Sequence, residues 1–380
     1  MTTESTLPSA VLSIDESLLT PIVRQALQSD RVEVMDWQVS QLGGGAGNPV
    51  SAGLYRIAGS GHDGDERVAW SVILKTIQSP ANVGWENMGE GEDQTHWNYW
   101  KRELLVYRSD LLTMLPEGMA APRCYGAAEL PGDVAWLWLE DIVDAYQDAW
   151  SLDRYALSAR HLGRLNGGHL AAGVLPDYPW LSVNRTRQWL TMAPLWRSLP
   201  WDHPRVRSRY PRSDANPFRS LLFDKDRFLA KLDLLPRTVC HGDTYPTNFK
   251  SRRLSGVDEQ TVALDWALVG IESLGDDLGQ FVYGAQMNLQ DTAPEGVDAV
   301  LFESYLEGLL DSGYHPDRRM VRFAYTTSAA LRVGLFQLIM LDEEFKHSDS
   351  EVAASSENLA AADCFEVVRA REAYDLLNGM

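Results

Sequence analysis

Apolar and polar positions change rhythm twice along the chain. Residues 9–29 set Val11, Leu12, Leu18, Leu19, Ile22, Val23 and Leu27 at helical spacing, with Asp15 and Glu16 near the start, which predicts an amphipathic leading helix. From residue 32 the runs shorten. VEVMDWQVSQL, AGLYRIAG and VAWSVILKTI are brief apolar segments punctuated by glycine, the texture of an antiparallel sheet with tight connections. Residues 77–95 are polar, acidic and turn-rich and predict a loop. A helix is expected from His96 through WNYWKRELLVYRSDLLTML, then two strands in RCYGAAEL and DVAWLWLEDI. After Ile142 five long segments repeat with helical period, interrupted by one short strand pair at residues 249–251 and 260–264. The pattern predicts an α+β protein with a smaller domain at residues 1–141 and a larger, mostly helical one at 142–380.

Composition narrows the function classes. The chain of 380 residues has 34 Lys and Arg against 53 Asp and Glu, a formal charge of −19. Phosphate-backbone binding runs on surplus cations, so no nucleic-acid partner is expected. The longest apolar stretch, residues 329–341, is broken by Arg332 and Gln337, and no membrane span is expected. The opening MTTESTLPSAVLS lacks the basic and apolar regions of a signal peptide, which predicts a cytoplasmic protein. Three scattered cysteines, Cys124, Cys240 and Cys364, form neither a disulfide framework nor a zinc cluster.

The sharpest local signal is CHGDTYPTNF, from Cys240 to Phe249. In phosphoryl transfer an aspartate receives the proton of the attacking hydroxyl, and an asparagine five residues on helps hold Mg²⁺. Asp243 and Asn248 have that spacing. Asn248 opens one strand, and Thr261-Val262-Ala263-Leu264 leads back to Asp265. A hairpin here sets Asn248 and Asp265 at one open end, within reach of a single ion. Upstream, Lys75 ends an apolar strand where it can hold α- and β-phosphates, with Glu103 as the partner from the following helix. The run LGGGAGNP, residues 42–49, supplies Gly44, Gly45 and Gly47, whose backbone amides can approach a nucleotide or simply form a turn.

In this order LGGGAGNP, VILK, KRELLVYRS, LWLEDI, CHGDTYPTNF and LDWALVGIESLGDDLGQF resemble the aminoglycoside phosphotransferase and choline kinase-like small-molecule kinases, over roughly residues 35–345. The resemblance implies a bilobal protein-kinase-like fold, with the small domain as N-lobe and the helical domain as C-lobe. It implies Asp243 as catalytic base, Asn248 and Asp265 as Mg²⁺ ligands, and Lys75 with Glu103 as the ion pair that positions ATP. Glu140 and Ile142 match the hinge that meets adenine, and Asp277 matches the aspartate bracing the catalytic loop. The expected activity is ATP- and Mg²⁺-dependent phosphorylation of a hydroxyl on a small molecule. A nucleotide-binding protein with kinase architecture but no catalysis is the alternative from another class.

Two charge patterns disagree about the acceptor. Residues 271–380 hold 20 acids against 7 Lys and Arg, which favours an amino-bearing acceptor such as an aminoglycoside, amino sugar or choline-like amine. Residues 185–219 hold eight arginines and two aspartates, which favours a neutral or anionic hydroxyl compound. The acids outnumber the arginines, so the expectation leans to an amino-bearing acceptor.

Overall fold

Period-two alternation builds the first layer of the computed structural model, which describes residues 8, 11, 13–43, 48–84, 93–147, 149–192, 199–210, 216–254, 259–346 and 364–379. Among the described residues, six strands precede residue 141: β1 (Val32–Gln41), β2 (Ser51–Asp63), β3 (Glu66–Gln78), β4 (Met119–Ala120), β5 (Cys124–Leu130) and β6 (Val134–Glu140). All but β4 form one antiparallel sheet in the order β1-β2-β3-β6-β5. Helix α1 (Glu16–Leu27) starts where the Asp15 carboxylate accepts the Leu18 N–H at 3.0 Å, later than the first apolar residues suggest. It buries Leu19, Ile22 and Val23 against the sheet face carrying Val72, Leu74, Trp136 and Trp138. The opposite face, with Ile77, Ala135, Leu137 and Leu139, receives Leu104 of α2 (Arg102–Arg108). Lys75 shares that second face with Ile73 and Ile77 because strand side chains alternate.

The helix expected from His96 begins only at Arg102. Residues 93–101 are turns because local acceptors capture their backbone. Asp93 accepts the Thr95 N–H at 2.9 Å, and the Arg102 guanidinium takes the carbonyls of Gln94, His96 and Trp97.

The helical part is built on α3 (Leu152–Ala172), α4 (Arg185–Met192), α5 (Pro204–Arg209), α6 (Pro217–Phe223), α7 (Lys225–Leu232), α8 (Asp276–Asn288), α9 (Pro294–Asp311), α10 (Arg318–Lys346) and α11 (Phe365–Asn378). Helices α3 and α9 approach closely through glycines: a Cβ on Gly308 would stand 1.9 Å from the Arg160 carbonyl oxygen. Helix α10 is long and apolar enough to cross a membrane by length and composition, but 83% of its most apolar window is buried inside the protein. It separates two apolar cores, one around Trp266, Phe281 and Tyr305, the other around Phe218, Phe228 and Leu335.

Two short sheets line the site. The expected hairpin forms as β9 (Phe249–Arg252) and β10 (Gln260–Ala263), with β4 added parallel to β10. A second sheet, which the apolar pattern does not announce, joins β7 (Ser182–Val183), β8 (Arg237–Cys240) and β11 (Gly270–Ser273).

Candidate active site

Strand β3 delivers Lys75 into a cleft of about 870 Å³ between the sheet and the helical part. Its Nζ lies 2.6 Å from Glu103 Oε2 and 2.9 Å from Asp265 Oδ1, so one ammonium joins α2, the sheet and the loop after β10. Glu103 is 1% exposed, and burial raises its carboxyl to about 6 against the pull of Lys75. Burial also opposes charge on Lys75, yet Asp265 and Glu103 together hold the ammonium above the usual lysine range. For Asp265, burial again resists ionisation and the Lys75 charge overrides it, holding the carboxyl low.

The opposite wall is the segment from β8 into β9. Gly242 takes φ +87°, and a Cβ there would stand 2.1 Å from the Leu268 carbonyl oxygen, so the turn needs glycine. The Asp277 carboxylate accepts the N–H groups of His241 and Gly242, both at 2.9 Å, at the start of α8. The His241 ring donates from Nε2 to the Leu264 carbonyl at 2.9 Å and accepts the Asp243 N–H at Nδ1. Burial holds this imidazole below its usual range, in keeping with a neutral ring. Asp243 is thereby presented with each oxygen held by an amide: Asn248 Nδ2 reaches Oδ2 at 2.9 Å and Gln280 Nε2 reaches Oδ1 at 3.0 Å.

Asn248 and Asp265 meet at the open end of the hairpin, as their spacing predicts. The Leu264 N–H donates to the Asn248 carbonyl at 2.8 Å, continuing the ladder beyond the Phe249–Ala263 pair. With Asn248 Nδ2 spent on Asp243, its amide oxygen is the atom left to ligate a metal. Both residues line the cleft, and hard oxygen ligands of this kind suit Mg²⁺.

A spectinomycin phosphotransferase in complex with ADP and spectinomycin aligns over 96% of this chain and 99% of its own, at TM-score 0.50 and 11% identity. A choline kinase from Cryptosporidium parvum Iowa II aligns over 96% and 95%, at TM-score 0.50 and 13% identity. The chain has the bilobal protein-kinase-like fold of small-molecule kinases. An amicoumacin kinase in complex with AMP-PNP, Ca²⁺ and Ami aligns over 98% and 97%, at TM-score 0.48 and 14% identity. No protein-family model and no curated protein matches the sequence.

Within this kinase fold, Lys75, Glu103, Asn248 and Asp265 line a single cleft, and Asp243 abuts it through Asn248. Glu140 and Ile142 line it too, but the Glu140 carboxylate is engaged by Arg123 at 3.2 Å and Arg252 at 2.8 Å. Gly44, Gly45 and Gly47 lie outside the described residues.

The two charge patterns meet each other. Arg185 pairs with Asp276 at 2.6 Å and Arg209 with Glu366 at 3.1 Å, one partner from each cluster. Asp298 is held by Arg322 and Arg369, and Asp311 by Arg160 and Arg164. These four acids of residues 271–380 are thus spent on arginines of the protein itself.

Sequence reasoning missed three residues. Gln280 holds Asp243; Arg102 ties the two parts together; Arg332 of α10 donates to the Gly242 carbonyl and lies 3.8 Å from Asp243 Oδ1. Arg332 carried a signal, a cation interrupting the most apolar stretch of the chain.

Proposed function

We propose that the protein is an ATP- and Mg²⁺-dependent phosphotransferase acting on a hydroxyl of a small molecule, with residues 1–141 covering the nucleotide and 142–380 carrying the catalytic loop. One observation carries the reading: Lys75, Glu103 and Asp265 form a single ion triad across the cleft that Asn248 also lines. Lys75, braced by Glu103, holds nucleotide phosphates, while the backbone around Glu140 and Ile142 meets the base. Mg²⁺, held by Asn248 and Asp265, would neutralise charge on the β- and γ-phosphates. Asp243 orients the acceptor hydroxyl and receives its proton, fixed by Asn248 and Gln280. Such catalysis is positioning and charge neutralisation rather than covalent chemistry. An ATP-dependent reaction places the protein, on this reading, in the cytoplasm, without nucleic-acid or membrane partners.

The deciding experiment is ADP release from ATP, with and without Mg²⁺, across hydroxyl compounds of every charge class: aminoglycosides, choline-like amines, amino sugars, hydroxy-amino acids and hydroxy acids. Mg²⁺-dependent ADP release that requires an acceptor is expected. A protein that binds an ATP analogue but transfers to no acceptor would be a nucleotide-binding scaffold instead.

A further inference from the structure

Next to Asp243, three buried polar atoms lack a hydrogen-bond partner among the described residues: Arg332 Nη1, Trp189 Nε1 and Gln280 Oε1. Their side chains converge. Gln280 Nε2 donates to Asp243 Oδ1 at 3.0 Å, Arg332 Nη2 donates to the neighbouring Gly242 carbonyl, and the Arg332 guanidinium lies 5.2 Å from the centre of the Trp189 ring. None of the three lines the cleft that holds Lys75 and Asp265, so they border Asp243 from elsewhere.

Arg332 is 5% exposed. The other acids in its surroundings are already committed: Asp276 to Arg185 at 2.6 Å, and Asp277 to the backbone N–H groups of His241 and Gly242. That leaves Asp243, at 3.8 Å, shared with two amides. A buried guanidinium with an unmade N–H is costly, and a ligand oxygen at that nitrogen removes the cost. A carboxylate offers two oxygens of the right charge and shape for adjacent N–H donors.

We infer that Arg332 reads the acceptor, and that the acceptor is a hydroxy acid whose carboxylate docks on Arg332 Nη1 and Trp189 Nε1 while its hydroxyl points to Asp243. This deepens, and rests on, the phosphotransferase reading. The acceptor oxygen bonds to the γ-phosphorus as the bond to the β-phosphate oxygen breaks. ADP leaves, and the hydroxyl proton passes to Asp243. Gln280 Oε1 remains to accept a second donor of the substrate.

The test measures binding and turnover separately. Short hydroxy acids, each matched with its amide and with an amino alcohol of equal length, are titrated calorimetrically into the protein with Mg²⁺ and a non-hydrolysable ATP analogue. The same series is then run with ATP. Wild type should bind the carboxylate member at least ten times more tightly than its amide. Arg332→Gln should cost the carboxylate ten- to hundred-fold and the amide less than about threefold, with Arg332→Lys in between. Trp189→Phe, which keeps the ring and removes the donor, should cost the carboxylate about three- to tenfold even if Arg332 variants fail to fold. Equal binding of carboxylate and amide by wild type, uniform weakening of all ligands by Arg332→Gln, or no binding of any member would overturn the inference. Carboxylate-selective binding without transfer would uphold the carboxylate site at Arg332 but sink the phosphotransferase reading, and with it the acceptor role of the bound acid. Transfer to amino alcohols without carboxylate selectivity would do the reverse.

Discussion

Asp243 has each carboxylate oxygen held by a different amide donor, which fixes its plane without neutralising it. Asp243→Asn keeps the size of the side chain and removes the proposed base. We expect kcat to fall at least about 10²-fold while nucleotide affinity stays within about threefold of wild type, measured by steady-state kinetics and analogue binding. Turnover near the wild-type rate would remove Asp243 from that role. A second residue tests the electrostatics of the support. Burial raises the Glu272 carboxyl to about 7, although the residue accepts the Arg185 N–H at 2.8 Å. The folded protein then holds a proton that the unfolded chain has released, across the window from about 4.5 to 7, so this group's contribution to stability falls as pH rises through it. Glu272→Gln keeps the accepting oxygen and deletes the charge. Its gain in stability, on the order of 1–3 kcal/mol, should appear at pH 8 and vanish near pH 4 in denaturant titrations. The same gain at both values would show that burial of charge is not the cause.

At the scale of elements, α2 is held by one side chain more than by its length. Arg102 donates to the carbonyls of Trp180 (2.7 Å), Trp97 (2.7 Å), Ala267 (3.0 Å), Gln94 (3.1 Å) and His96, binding the turns before α2 to the segment after Asp265. Arg102→Met fills much of the same volume but leaves those acceptors unserved. A loss of about 2–4 kcal/mol is expected in thermal or denaturant unfolding. The exposed Arg187–Asp233 pair is the control, where Arg187→Met should change stability by less than about 1 kcal/mol. These elements also show what the sequence makes legible. The main sheet announces itself because its strands bury one or both faces: period two shows in the apolar residues of β1 and β2, and β6 is one continuous apolar run. The spacing of Asp243, Asn248 and Asp265 was readable because a hairpin turns sequence distance into a fixed end-to-end geometry. The start of α2 was not, because side-chain capture of backbone carbonyls from 94 to 97 defeats helical propensity, and nothing local marks it. The β7-β8-β11 sheet escaped for a related reason: its strands are two to four residues long and pair across large sequence separations. Arg332 and Gln280 reach Asp243 from α10 and α8, and no spacing rule links them to it.

In the molecule as a whole, the sheet and the helical part are joined over the cleft by the Lys75 ammonium, shared between Glu103 and Asp265. That sharing makes the unliganded protein a latch. A divalent ion arriving alone meets an aspartate already half-compensated by lysine. A nucleotide arriving alone meets a lysine already claimed by two carboxylates. On the proposed reading partners would be exchanged when both arrive: phosphate oxygens would take the lysine, and the metal would take the aspartate. Thermodynamic linkage then requires the help to be mutual, each ligand tightening the other by one common factor beyond their association in solution. Breaking the latch should split the two effects. In Lys75→Met, Mg²⁺ titrated without nucleotide should bind more tightly than to wild type, since Asp265 is released, while the Mg²⁺–ATP complex binds at least about tenfold more weakly for want of the lysine. Opposite signs from one substitution are the signature of competition for a shared charge. Unchanged metal affinity in the variant would mean that the two sites are independent, and lowered affinity that the lysine supports the metal site rather than competing with it.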